Sequence, residues 1–183
     1  MTASGAAGVT WAPPEADAII SNDPSVALVV RVADCAPILI ADRRTGAVAA
    51  VHAGWRSTIH RIAGAAVDAL RTTYGVHPDD LVAAIGPALG ACCGEMGDEV
   101  VDAFRTAGHD DASIDAWFDR GPGRRPHFDL WQANRDQLEA AGLGSSAIHT
   151  SGLCTRTHSV WFHSYRADGT GAGRMAAVIR ANP

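Results

Sequence analysis

The sequence predicts an α+β domain whose sheet is covered on both faces, and three observations lead there. Short β-rich apolar runs gather before residue 55 and return near the C-terminus. Between them, apolar residues recur at helical spacing. Strands and helices mix without strict βαβ alternation, and no repeat, low-complexity tract or linker divides the 183 residues, a length that fits one domain.

Met1–Glu15 is small, polar and proline-containing, and is expected to be a loose lead-in. Val26–Val32 (VALVVRV) is a β-rich apolar run. Ile38–Ala41 and Ala47–Val51 are two more, and the spacer Asp42-Arg43-Arg44-Thr45-Gly46 between them is a hairpin signal. Both runs are apolar at nearly every position, as strands buried on two faces are. From Arg56 onward, Ile59, Ile62, Ala63, Ala66 and Leu70 define one amphipathic helix that ends before Gly75. Leu81–Ile85 is a short strand that runs into a Gly-Pro turn. Val100, Val101 and Phe104 mark a second helix after Gly97, and Gly121–Pro126 (GPGRRP) is a loop. Asp129 caps a third helix through Leu138, stopped by Gly142. Val160–Tyr165 and Arg174–Ile179 read as closing strands.

Composition removes several classes of function. Apolar residues make up 47% and charged residues 19%, which excludes disorder as the default. The net charge is −5 and no basic stripe is present, so no nucleic-acid partner is expected. No apolar run is long enough to span a bilayer, so no membrane partner is expected either. Met1–Thr10 lacks the basic and apolar regions of an export signal, which points to a cytoplasmic protein. In that setting Cys35, Cys92, Cys93 and Cys154 are free or metal-bound thiols rather than a disulfide framework.

Cys35 and His52 carry the strongest chemical signal. A hairpin turn centred between Arg43 and Arg44 places them directly opposite each other on one face, where Cβ atoms lie about 4.5–5.5 Å apart. A thiolate and an imidazole at that spacing can share a metal ion or act as a nucleophile–base pair. A slip of one residue would separate them. His52 is followed by Ala53-Gly54-Trp55-Arg56 and a helix start, where free N–H groups and Arg56 can hold a phosphate or carboxylate. The alternative is a plain strand-to-helix connection with a packing tryptophan. Asp34 either orients a ligand histidine or pairs with an arginine.

Gly86-Pro87-Ala88-Leu89-Gly90 leads to Cys92-Cys93 and reads as a small-residue turn close to another backbone, since vicinal cysteines do not easily chelate one metal. Cys154 reads as a buried free thiol. Arg166 and Arg174 gain a pocket role only if their segments approach His52. The remaining histidines show no H-x-H or HxxxH spacing.

Four ordered segments, ADCAPILIAD (33–42), VAAVHAGWRST (48–58), AIGPALGACCGEMGDEV (84–100) and FHSYRADGTGAGRMAAVI (162–179), resemble the YfiH family. That family is also called peptidoglycan editing factor, polyphenol oxidase or multicopper laccase-domain protein, and zinc purine nucleoside phosphorylase. The resemblance implies a four-layer α-β-β-α sandwich with mixed sheets, similar to cysteine-hydrolase-like folds. It also implies a metal site built from a QVHG histidine, the ADC cysteine and the HAGW histidine. The last two map onto Cys35 and His52. No QVHG motif occurs here, and only fifteen residues precede the aligned segment that starts at Ala16. The expectation is therefore a single domain over 1–183 that is N-terminally incomplete through a late-called start or truncation, with the third metal histidine absent. Ser57, Gly94 and His163 stand where the family more often has other residues.

By this resemblance the expected function is a zinc-dependent purine nucleoside enzyme, with copper as the alternative ion. It would phosphorolyse adenosine, inosine and methylthioadenosine, and deaminate adenosine. Its partners would be a small-molecule nucleoside and phosphate, in a monomer or homodimer, with Cys35, His52 and Arg56 as the catalytic and substrate-holding residues. The alternatives are a hydrolase that removes L-serine from a UDP-muramyl precursor, a copper polyphenol oxidase, and an inactive fragment.

Overall fold

The computed structural model describes residues 15–182. The expected lead-in falls almost wholly outside that range. The elements in chain order are β1 (Ala18–Ser21), β2 (Ala27–Val32), β3 (Ala36–Asp42), β4 (Val48–Ala53), α1 (Trp55–Ile59), α2 (Ile62–Tyr74), β5 (Leu81–Ile85), α3 (Asp98–Thr106), α4 (Asp111–Trp117), β6 (Phe118–Asp119), β7 (His127–Phe128), α5 (Leu130–Ala140), β8 (Ile148–Thr150), α6 (Tyr165–Asp168) and β9 (Met175–Arg180).

The main sheet has the order β1-β4-β3-β5-β8, antiparallel except for the parallel β5–β8 pair. One face buries Ala63, Ala66, Val67 and Leu70 of α2 and Ala133 and Leu138 of α5. The other face packs on the two-stranded β2–β9 ribbon through Leu28, Val30, Val48 and Ala50. Covering on both sides explains the continuous apolar character of β3 and β4. The described residues thus build an α+β protein with mixed sheets and three layers of the expected sandwich. The outward face of the ribbon is open and carries the exposed Val29 and Val178. No helix among the described residues is long and apolar enough to cross a membrane.

Three expectations need correction. The hairpin register differs by two residues from the expected one. The Asp42 carboxylate accepts the Thr45 N–H at 2.8 Å, and Gly46, at φ +74°, donates its N–H to the Asp42 carbonyl at 3.0 Å. The loop is therefore centred one position later, and His52 pairs with Pro37 rather than Cys35. A shift of two preserves which face each side chain occupies.

The helix expected from Arg56 to Gly75 is broken at Arg61, which adopts φ 56°, ψ 42°. Long-range groups satisfy the carbonyls freed there. The amide of Gln137 donates to the Thr58 carbonyl at 2.7 Å, and the His109 Nε2 donates to the Ile59 carbonyl at 2.9 Å. The Arg61 guanidinium reaches the Gly108 carbonyl at 3.0 Å.

Val160–Tyr165 is not a strand. It runs in turns with Val160 92% and Trp161 73% exposed, and leads into α6. Elsewhere local signals hold. Asp129 accepts the Gln132 N–H at 3.0 Å and caps α5, and Leu81–Ile85 is a strand as expected.

Candidate active site

Cys35 and His52 line one cleft of about 630 Å³ at the C-terminal end of β4. Continuing the β3–β4 register places Cys35 opposite Gly54, diagonal to His52 on the same face. Glycine leaves room at that contact, because a Cβ on residue 54 would stand 3.0 Å from the Cys35 Sγ and crowd it.

Asp17, just before β1, supports His52 from the opposite side. Its carbonyl accepts the His52 N–H at 2.7 Å and its carboxylate meets the His52 Nδ1 at 2.9 Å. Nε2 is left as the ring nitrogen free for another partner. Hydrogen bonding to Cys35 is the largest influence on the imidazole; burial opposes it, and Asp17 adds to it. Together they raise the His52 pKa from 6.5 to about 9.

Sequence reasoning missed Asp17, because its place depends on a strand pairing with no local signal. Asp34 does not take the supporting role. It is buried at φ +79° and accepts the Thr155 hydroxyl and the Arg166 backbone N–H, each at 2.5 Å. Such backbone strain costs on the order of 1–3 kcal/mol and persists only where surroundings enforce it. Here those bonds tie the Arg166 segment to the residue preceding Cys35.

Because the fold favours charged His52, this interaction stabilises metal-free protein fully below about 6.5 and loses that contribution as pH rises through about 9. NMR titration of metal-free protein should place the His52 midpoint near 9. A midpoint near 6.5 would show that neither Cys35 nor Asp17 holds the ring.

Four arginines, Arg31, Arg56, Arg166 and Arg174, line the same cleft. Arg56 stacks on Trp55, 4.1 Å from the ring centroid, and forms no ion pair among the described residues. Arg166 is braced by the Cys93 and Glu95 carbonyls at 3.2 and 2.9 Å. Arg166 and Arg174 line the same cleft as His52, which is the pocket role the sequence left conditional. The helix start is a poorer anion holder than expected. The helix after Gly54 has five residues, and Ser57 Oγ already takes the Gly54 N–H at 3.0 Å.

Cys92, Cys93 and Cys154 form a second group, with all three sulfurs within 4.8 Å of one another. Gly86-to-Gly90 is indeed a close-packed turn: a Cβ on Gly90 would stand 2.8 Å from the Trp131 ring and 3.3 Å from the Cys154 Cβ. Burial opposes charge on Cys154, yet the Thr157 and Gly90 N–H groups bring it down to about 7, while the exposed Cys92 is raised by local desolvation against the adjoining Cys154 and Cys93 thiols and by those thiols themselves.

The fold and cleft define a helix–sheet–ribbon protein in which a thiol–imidazole pair faces a group of guanidiniums. The chain belongs to the family described as multi-copper polyphenol oxidoreductase laccase, whose model matches residues 2–182. It is 36% identical over 163 residues to a purine nucleoside phosphorylase of Bacteroides thetaiotaomicron, covering 89% of this chain and 60% of that protein. It is 39% identical over 164 residues to adenosine deaminase RL5 from an unknown prokaryotic organism, covering 89% and 61%. The crystal structure of the Bacillus licheniformis protein YfiH superposes with a TM-score of 0.84 at 32% identity, covering 91% of this chain and 61% of that one. The chain thus spans about three-fifths of the length of these relatives.

Proposed function

We propose that this cleft is a metal-assisted purine nucleoside phosphorylase site. The observation that carries the proposal is the meeting of Cys35, His52 and four arginines in one cavity. The donors present suit zinc in kind and fill two of its four positions: a thiol and an imidazole whose other nitrogen is held by a carboxylate, the usual support of a zinc histidine, with the remaining positions left to water or substrate. When bound there, zinc supplies Lewis acidity beside the substrate.

The chain's own residues do the rest. Arg31 and Arg56 have guanidiniums available for a phosphate dianion, and Arg166 is already oriented by its carbonyl contacts. Trp55, Leu89 and Met96 give the cleft an apolar wall for a purine. A phosphate oxygen forms the new bond to the ribose anomeric carbon, the C–N bond breaks, and its electron pair leaves with the base. The relatives named purine nucleoside phosphorylase support this reading. Adenosine deamination is the second reading, supported by the relative of that name. An oxidase reading lacks ligands, since among the described residues His52 is the one histidine lining the cleft, whereas a multicopper centre requires several.

The test is chromatography of inosine and methylthioadenosine reactions with zinc-loaded protein, with and without phosphate. Phosphate-dependent release of base is expected. Release indifferent to phosphate would contradict the proposal.

A further inference from the structure

We infer that Cys92, Cys93 and Cys154 form a second metal site, separate from the Cys35–His52 cleft, which takes a single thiophilic cation, copper(I). The three residues come from two segments joined by backbone hydrogen bonds. Ala88 bridges to Cys154 in parallel fashion, with the Ala88 N–H on the Leu153 carbonyl at 3.3 Å and the Thr155 N–H on the Ala88 carbonyl at 3.0 Å. A tight turn then brings the Cys93 N–H onto the Gly90 carbonyl at 2.9 Å and turns both vicinal thiols toward Cys154.

The Cys92 and Cys93 sulfurs are 3.8 Å apart, so these neighbours do converge, against the expectation from their adjacency. A metal bound to sulfur at about 2.3 Å spaces its ligands about 3.8–4.0 Å apart in tetrahedral or trigonal geometry. The observed spread needs only small side-chain rotations to match. All three thiols are free; Cys154 is buried at the base, Cys93 is half-buried, and Cys92 stands exposed at the mouth. An ion therefore has both an entry path and an anchored floor.

An all-thiolate set selects soft d10 ions. Three sulfurs complete a trigonal copper(I) shell, whereas zinc would need a fourth ligand. The site also has a structural consequence. Arg166 is held by the Cys93 and Glu95 carbonyls, so an ion on Cys92 and Cys93 would clamp the loop that aims a cleft arginine.

The test is anaerobic titration of copper(I) from a chromophoric bicinchoninate complex. The protein carries Cys35→Ser and His52→Asn, which removes the cleft donors. We expect it to retain one equivalent of copper(I) with a cuprous-thiolate absorption in the ultraviolet. Adding Cys92→Ser and Cys93→Ser should lose that equivalent; both positions are exposed or half-buried, and far-ultraviolet circular dichroism checks the fold. If the fourfold variant does not fold, Cys92→Ser with Cys93→Ser in otherwise unaltered protein must lower the bound copper by one equivalent. No retained copper in the first protein, or retention indifferent to the vicinal cysteines, would overturn the inference. Tighter retention of zinc than of copper(I) would overturn the choice of ion.

Discussion

Replacing Cys35 by serine is expected to abolish phosphate-dependent cleavage of purine nucleosides while leaving the fold intact. Serine keeps the shape and a polar atom beside Gly54, but its hydroxyl does not ionise near neutrality and is a poor ligand for a soft or borderline metal. Asp17→Asn should be milder. It removes the charge behind His52 without touching the face that meets Cys35, and changes to such supporting groups cost about 10–100-fold in metal affinity or activity. The two variants are separable. Asp17→Asn should lower the His52 pKa from about 9 and weaken zinc retention with base release still measurable, whereas Cys35→Ser should remove turnover altogether. Unaltered turnover in Cys35→Ser would exclude this thiol from the chemistry.

The largest effect on stability is expected at Phe104. Its side chain is fully buried, and its ring centroid lies 5.2, 5.9, 5.4 and 5.3 Å from the rings of His109, Trp117, Phe118 and Phe128. Truncating a buried phenylalanine to alanine costs about 3–5 kcal/mol through lost transfer energy and the cavity left behind. Against a total stability of about 5–15 kcal/mol, that is a large fraction. For a chain of this size it corresponds to a fall in Tm of about 6–20 °C. Phe128 stacks on Phe118 at 4.7 Å and also lines the cleft, so Phe104→Ala should weaken substrate binding as well. Calorimetry of the two proteins checks this, and a fall below about 3 °C would mean that the aromatic cluster closes over the void.

What was legible in the sequence was local. The apolar runs of β3, β4 and β5 and the Asp129 cap act within a few residues of themselves, and each formed where expected. The placement of Cys35 and His52 on one face was legible, though not as a directly opposed pair, because side-chain alternation survives an even shift of register. The break at Arg61 was not, because the carbonyls just before it, on Ile59 and Thr58, are met by His109 and Gln137, 50 and 79 residues further along the chain. Val160–Tyr165 has strand-like composition, yet it joins none of the described sheets and its Val160, Trp161 and Tyr165 side chains face solvent. Asp17 and the convergence of Cys92, Cys93 and Cys154 were hidden for the same reason: each depends on a pairing between distant segments.

Zinc X-ray absorption tests the central claim most directly, namely that Cys35 and His52 hold the metal of the cleft. The protein should carry Cys92→Ser and Cys93→Ser, so that the vicinal thiols contribute no scattering, and be compared with the same protein also carrying Cys35→Ser. The expected result is one sulfur at about 2.3 Å with lighter donors that include imidazole, and loss of that sulfur shell in the second protein. A sulfur shell unchanged by Cys35→Ser, or a first shell with no sulfur in either protein, would contradict it.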